Sequence, residues 1–423
     1  MTRKAQNRKF IRYNRGELRY HKSASGIFDI LARGQLVSQG IAIVAKLRIP
    51  DYLVDGAKTI SELADITNVN PDALYRLLRM LASVGIFREI NRFKEDKSWI
   101  RNNEMKSFQL TSPASLLRSN AKNSVRNFAL LFGLDSFNKA TINLLHAIET
   151  GENSFKYANG SEIFDYLQQN KNKLDAEIFD NAISTLNLSY VSSIFHSYDF
   201  SQFRTILDIG GGQGLFLANI LKKNPNQFGI LFDLPKVIRR AKKTYWVDAD
   251  KQSYTRGSYS LSSRCRLWGG NFFNAIPTGA DCYMIKNVLL NWDDESVAVL
   301  LRNCLQSMKK VDIQRLSNCS PMPKKNPKLL IIETIMPEGN EPFLGKFTDV
   351  LMLVLTRGGK LRTKREFSEL LTSCGFKILN IFRPPCKMSF LSIIEAVPAE
   401  QTQNYRKNEG RMNRVCSKLR SAR

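Results

Sequence analysis

Residues 204–214, "RTILDIGGGQG", read as a short buried strand that runs into a glycine turn. A helical pattern, "LFLANILKKN" (215–224), follows it, and a second apolar run, "FGILFD" (228–233), closes on Asp233. Strand, glycine loop, helix and second strand together make the first crossover of a Rossmann-like nucleotide site. Glycines at 210, 212 and 214 let the backbone bend sharply and approach a ligand, and an acid at the next strand's tip accepts hydrogen bonds from ribose hydroxyls. From Arg204 onward short apolar runs alternate with helices, the pattern of a parallel sheet covered on both faces.

The spacing discriminates between cofactors. A dinucleotide fingerprint needs G-x-G-x-x-G, but the sixth position from Gly210 is Leu215, so the pattern is G-x-G-x-G with an acid, Asp208, two residues before it. That suits the amino-acid end of S-adenosylmethionine better than a pyrophosphate. Three further runs fit the same sheet: "RCRLWGGNFF" delivers Asn271 and Phe272 to its ligand edge, "DCYMIK" ends in Lys286, and "KLLIIETIMP" ends near Glu333. Ligands in such sheets sit beyond the carboxyl ends of the strands. Phe272 and Phe273 read equally well as core and Lys286 as a surface residue, but their common place at strand tips favours function.

Upstream, "TISELADITNVNPDALYRLLRMLASVGIFREI" has Thr59 and Glu62 at capping-box spacing, then Asn70-Pro71 as helix cap and first helical residue. Leu74, Leu77, Leu78 and Leu81 recur at helical spacing, and Gly85 stands where a left-handed terminator belongs. This is helix-turn-helix spacing, and "IFREINRFKEDKSWIRNNEMKSFQL" supplies a hairpin wing. Such a unit reads DNA, with Tyr75, Arg76 and Arg79 on the exposed face of its second helix, or holds a dimer together. Residues 111–200 are mostly helical by pattern, and His146 and His196 within them read as structural residues in amphipathic helices.

With 423 residues and 43% apolar content, the chain is long enough for two or three domains. No apolar run approaches the ~20 residues that span a bilayer, and the N-terminus lacks an apolar secretion segment, so a cytoplasmic protein is expected. Seven cysteines show no CxxC pair and imply neither a disulfide framework nor a metal site. Of the net charge of +25, +7 lies in residues 1–24 and +5 in residues 398–423, which read as solvated basic tails; residues 311–327 read as a solvated loop.

From about residue 25 to 397 the chain resembles the S-adenosylmethionine-dependent O-methyltransferases of the hydroxyindole, caffeate and polyketide-tailoring type. The resemblance rests on "LARGQLVSQGIAIVAKLRIPDYL", "LLHAIETGENSF", "FDLPKVI", "GGNFFNAIPTGAD", "NWDDE" and "GGKLRTKREFSELLTSCGF" together with the stretches above. It implies a winged-helix dimerisation domain (25–110), a helical region lining the acceptor pocket (111–200) and a Rossmann-like S-adenosylmethionine-binding domain (201–397). A homodimer and a small-molecule acceptor are implied, which argues against DNA reading as the use of the winged helix. By the same resemblance Gly210 lies near the methionine part of the cofactor, Asp233 on the ribose, and Asn271 and Phe272 at the adenine with Lys286 close by.

The departures fall in the base constellation. Family members of this type usually carry a His four residues after the Lys that corresponds to Lys286, as the general base; here it is Leu290. One orienting carboxylate is kept as Glu333, while the one usual in the "GGK-x-RT" turn is Leu361, and the usual Asp after the base is Asn291. A positioned general base is typically worth ~10²–10⁴ in rate, whereas alignment supplies an effective molarity of ~10⁵ M or more, so transfer without the His is feasible. Glu333, Asp349 or His146 could serve instead if the pocket brings them near. The expected reaction is methylation of oxygen, or of sulfur or nitrogen, in a small aromatic metabolite. A non-methylating S-adenosylmethionine-binding homologue and a nucleic-acid-associated winged-helix protein are the alternatives.

Overall fold

The computed structural model describes residues 24–91, 106–121, 123–242, 246, 261–310, 327–384 and 390–401. The tail residues 1–23 and 402–423 and the loop residues 311–326 lie outside them. The N-terminal part comprises α1 (Ala24–Lys46), α2 (Ile49–Tyr52), β1 (Lys58–Thr59), α3 (Ile60–Thr67), α4 (Pro71–Ser83), β2 (Phe87–Asn91), β3 (Lys106–Leu110) and α5 (Ser112–Ser115). The capping box forms as the spacing predicts: the Glu62 N–H donates to Thr59 Oγ1 at 3.2 Å, and the Thr59 N–H donates to Glu62 Oε2 at 2.6 Å. Asn70 caps α4 by accepting from the Ala73 N–H at 3.0 Å. β2 and β3 pair antiparallel, and β1 adds to β3.

One expectation is corrected here. Tyr75 is buried rather than exposed, because Lys106 and Arg79 cover its ring and its hydroxyl donates to Glu89. Among the described residues one helix, Ile27–Lys46 within α1, passes the length and composition test for a membrane span. Within it Asp29 and Arg33 interrupt the apolar run and form an i,i+4 ion pair.

The middle of the chain is a helical layer: α6 (Arg126–Phe132), α7 (Asp135–Ile142), α8 (Leu144–Thr150), α9 (Ser154–Asn159), α10 (Ile163–Gln168) and α11 (Lys173–Ser197). Its α6 lies against both α1 and α11, tying the N-terminal part to the rest.

The remainder runs β4 (Thr205–Ile209), α12 (Leu215–Lys223), β5 (Phe228–Asp233), α13 (Pro235–Ala241), α14 (Leu261–Arg264), β6 (Cys265–Gly269), β7 (Cys282–Lys286), α15 (Asp294–Lys309), β8 (Lys328–Thr334), α16 (Leu344–Leu355), α17 (Lys364–Ser373), β9 (Phe376–Phe382) and β10 (Leu391–Pro398). The seven strands are ordered β6-β5-β4-β7-β8-β10-β9. The first five are parallel, and β10 pairs antiparallel with both β8 and β9. Burial of β4 and β7 on both faces matches their unbroken apolar sequences, and two apolar clusters cover the sheet from either side. The strand order reverses between β4 and β7, so the ligand crevice opens at the tips of these two strands.

Candidate active site

The glycine loop leaves β4 at its carboxyl end and is held by the neighbouring strand. Asp233, at the tip of β5, accepts from the Gly212 N–H through Oδ2 at 2.8 Å and from the Leu234 N–H through Oδ1 at 2.7 Å. Each carboxylate oxygen retains acceptor capacity for a hydroxyl. Burial pushes the Asp233 carboxyl up to about 6, against the pull of these two N–H groups. Gly212 has φ +61, and a Cβ built there meets nothing within 4 Å, so the loop borders open space at its centre. Phe272 comes up beside the loop, 3.8 Å from a Cβ built on Gly210. The Asn271 carboxamide oxygen accepts from the Phe273 N–H at 2.9 Å, which fixes the turn that follows β6.

Three charged side chains stand at adjacent strand tips: Asp208 on β4, Lys286 on β7 and Glu333 on β8, all buried. Oδ1 of Asp208 is buried and finds no hydrogen-bond partner among the described residues. Burial raises Asp208 to about 7, opposed by Lys286, and lowers Lys286 to about 8, opposed by Asp208 and Glu333. A cationic, polar ligand end fits this place, because it supplies the partner that the orphaned oxygen lacks. Loop, open space and orphaned carboxylate oxygen therefore fit S-adenosylmethionine.

The turn that carries Leu290 is clasped on two sides. Oε1 of Glu333 accepts from the N–H groups of Val288, Leu289 and Leu290 at 2.9, 2.6 and 3.2 Å. Burial raises Glu333 to about 7, opposed by Arg362 and these three N–H groups. Arg362 is fully buried and donates to the carbonyls of Leu289 and Trp292 at 2.9 and 2.8 Å, and to Asp294 at 2.8 Å. Gly359 touches the same turn, since a Cβ there would lie 2.6 Å from the Leu290 carbonyl oxygen. The position usual for a base is thus held firmly but bears an alkyl group.

Leu290 and Leu361 belong to one apolar cluster with Phe137, Phe155, Met352 and Leu355 from the helical layer and α16. Phe164 of α10 stacks on Trp292 at 5.7 Å and meets Phe179 of α11 edge to face, so the helical layer reaches the turn through aromatic rings. Of the three substitute bases weighed from sequence, Asp349 accepts from the Leu361 N–H at 2.7 Å and so lies beside the second leucine. His146 stacks on the exposed Tyr157 ring of α9, and His196 bonds back to the Ser192 carbonyl within α11. Sequence reasoning missed Arg362, the Phe164–Trp292 stack, and Asp180, which ion-pairs with Arg240 beside the loop. Only the basic residue in "GGKLRT" offered any local signal.

Residues 142–377 match the family model for the O-methyltransferase domain, and residues 26–120 that for the O-methyltransferase dimerisation domain. The phenazine O-methyltransferase PhzM of Lysobacter antibioticus is 34% identical over 374 residues, covering 88% of this chain and 96% of that protein. The 8-amino-8-demethylriboflavin N,N-dimethyltransferase of Streptomyces davaonensis is 32% identical over 338 residues, covering 80% and 86%. A crystal structure of LaPhzM superposes with a TM-score of 0.73 at 34% identity, covering 89% of this chain and 99% of that one. With its cofactor cradle, strand order and both family domains in place, the chain belongs to the S-adenosylmethionine-dependent O-methyltransferases, a class I methyltransferase domain preceded by a dimerisation domain.

Proposed function

We propose that this protein methylates a small aromatic metabolite at a nucleophile that reacts without a side-chain base at position 290. S-adenosylmethionine supplies an electrophilic methyl group when bound. The residues of the chain do the rest: Asp208, Gly210 and Gly212 receive its amino-acid end, Asp233 its ribose, and Asn271 and Phe272 its adenine, with Lys286 holding the charge balance at the strand tips. Glu333 acts as the anchor of the 288–290 turn, and Leu290 and Leu361 form an apolar wall that excludes water and sets the acceptor ring. Alignment of acceptor and methyl group carries the rate, an effect that reaches an effective molarity of ~10⁵ M or more.

The observation that carries this reading is the Glu333–Arg362 clasp around a leucine: the positioning is kept and the proton acceptor is gone. A phenol of pKa about 10 is mostly protonated at neutral pH. A thiol, an acidic enol or an aryl amine is nucleophilic without strong base, and the riboflavin-type relative is named as an N,N-dimethyltransferase. The working form is a cytoplasmic homodimer joined through a winged-helix domain (25–110), whose exposed α1 face includes Phe28 and Leu31. The test is conversion of S-adenosylmethionine to S-adenosylhomocysteine across a panel of aryl amines, thiols, acidic enols and simple phenols. Turnover confined to the first three classes supports the reading, and turnover of simple phenols at comparable rate contradicts it.

A further inference from the structure

Adjacent residues of α11 face the two halves of the site. Phe179 meets Phe164, which stacks on Trp292 at the end of the clasped turn. The next residue, Asp180, accepts from Arg240 Nε of α13 at 2.5 Å and from the Gln213 side chain of the glycine loop. Gln213 is itself buried, and its carbonyl accepts from Trp246 Nε1 at 3.0 Å. One turn before Arg240, Lys236 of α13 donates to the Gln168 carbonyl at the end of α10, at 2.8 Å. The short helix after the ribose-side strand therefore grips both α10 and α11, and its grip on α11 is shared with the cofactor loop.

We infer that Asp180, Arg240 and Gln213 form a positioning unit that couples the acceptor layer to the cofactor loop, so that S-adenosylmethionine is held tightly only while α11 is seated. The inference rests on the proposed function, with the helical region 111–200, which includes α11, lining the acceptor pocket as the family resemblance implies. None of the three residues is asked to touch the reacting atoms; they act through the backbone of 210–214 and through Asp233, which holds the Gly212 N–H. The ion pair is largely shielded, with side-chain exposures of 25% and 11%, so its removal is felt more than that of a surface pair. Asp180 and Arg240 also act in opposite senses on Asp233, which places the pair within electrostatic reach of the ribose site. A loop ordered by three groups from three elements transmits a shift of α11 directly, because packed contacts rearrange as units.

The experiment is calorimetric titration with S-adenosylhomocysteine of the full-length wild type, Asp180→Asn, Arg240→Met, Arg240→Lys, Gln213→Ala and the Asp180→Asn/Arg240→Met double variant, with melting temperatures recorded alongside. Asp180→Asn, Arg240→Met and Gln213→Ala are each expected to weaken binding roughly tenfold, with Arg240→Lys recovering part of the loss. The double variant is expected to bind no more weakly than its worse single, the mark of one shared interaction. Unchanged affinity in Asp180→Asn and Gln213→Ala, or losses that add in the double variant, overturn the coupling. So does a loss of affinity that only tracks lowered melting temperature across the set. No binding by the wild type strikes the cofactor assignment instead, which keeps the two failures distinct.

Discussion

At the scale of single residues, the site turns on Leu290 and Leu361. Both lie in the apolar cluster that joins the turn to the helical layer, which supports the proposed apolar acceptor wall. The double variant Leu290→His/Leu361→Glu is expected to gain methylation of simple phenols by ~10²–10⁴, the usual worth of a positioned base, measured as S-adenosylhomocysteine release. No gain would mean that the turn does not face the acceptor. Glu333→Ala strips three backbone N–H groups of their acceptor and should cost about 1–3 kcal/mol in denaturant unfolding. Unaltered stability would contradict its role as a clasp. Position 290 and its departure were legible in the sequence because the Lys286 spacing marks it. The use of Glu333 as a backbone anchor was not, since 43 to 45 residues separate it from the N–H groups it receives.

At the scale of elements, the strand tips form an electrostatic unit whose sign can be worked through. Asp208 and Glu333 rise from 3.8 and 4.5 to about 7, so between these values the native state holds protons that the unfolded chain has released. Stability of the ligand-free protein therefore falls as pH rises from 5 to 7. Lys286, lowered from 10.5 to about 8, works in the other window: the unfolded chain keeps a proton that the native state gives up, so stability recovers as pH rises from 8 towards 10.5. Scanning calorimetry should show a lower melting temperature at pH 7 than at pH 5, and a smaller difference in Asp208→Asn. A wild type more stable at pH 7, with no change in the variant, would refute the arrangement. The five parallel strands were readable because each apolar run ends at a ligand-side turn or charge, as at Asp233 and Lys286. The antiparallel β9 and β10 were not singled out, because partners and direction are set by sheet closure rather than by local pattern. The same holds for Arg362, whose bonds to residues 289–294 cross about seventy positions of sequence.

For the whole molecule, α1 carries a face that the rest of the described chain leaves bare: Phe28 is 73% exposed and Leu31 75%. Apolar exposure of that size in a segment matching a dimerisation domain calls for a second copy. Phe28→Asp/Leu31→Glu is expected to sediment as a monomer where the wild type sediments as a dimer, and an unchanged dimer would place the interface elsewhere. The same face explains why α1 passes for a membrane span by composition while lying in the segment that matches the O-methyltransferase dimerisation domain.

The proposed function keeps the machinery of alignment and dispenses with the base at position 290. Its most direct test is a single assay of S-adenosylhomocysteine formation at neutral pH, comparing matched aryl amine, thiol and phenol acceptors on one ring system with the wild type and with Leu290→His/Leu361→Glu. The wild type is expected to turn over the amine or thiol and leave the phenol, and the variant to gain the phenol. Wild-type turnover of the phenol equal to that of the amine or thiol would contradict it.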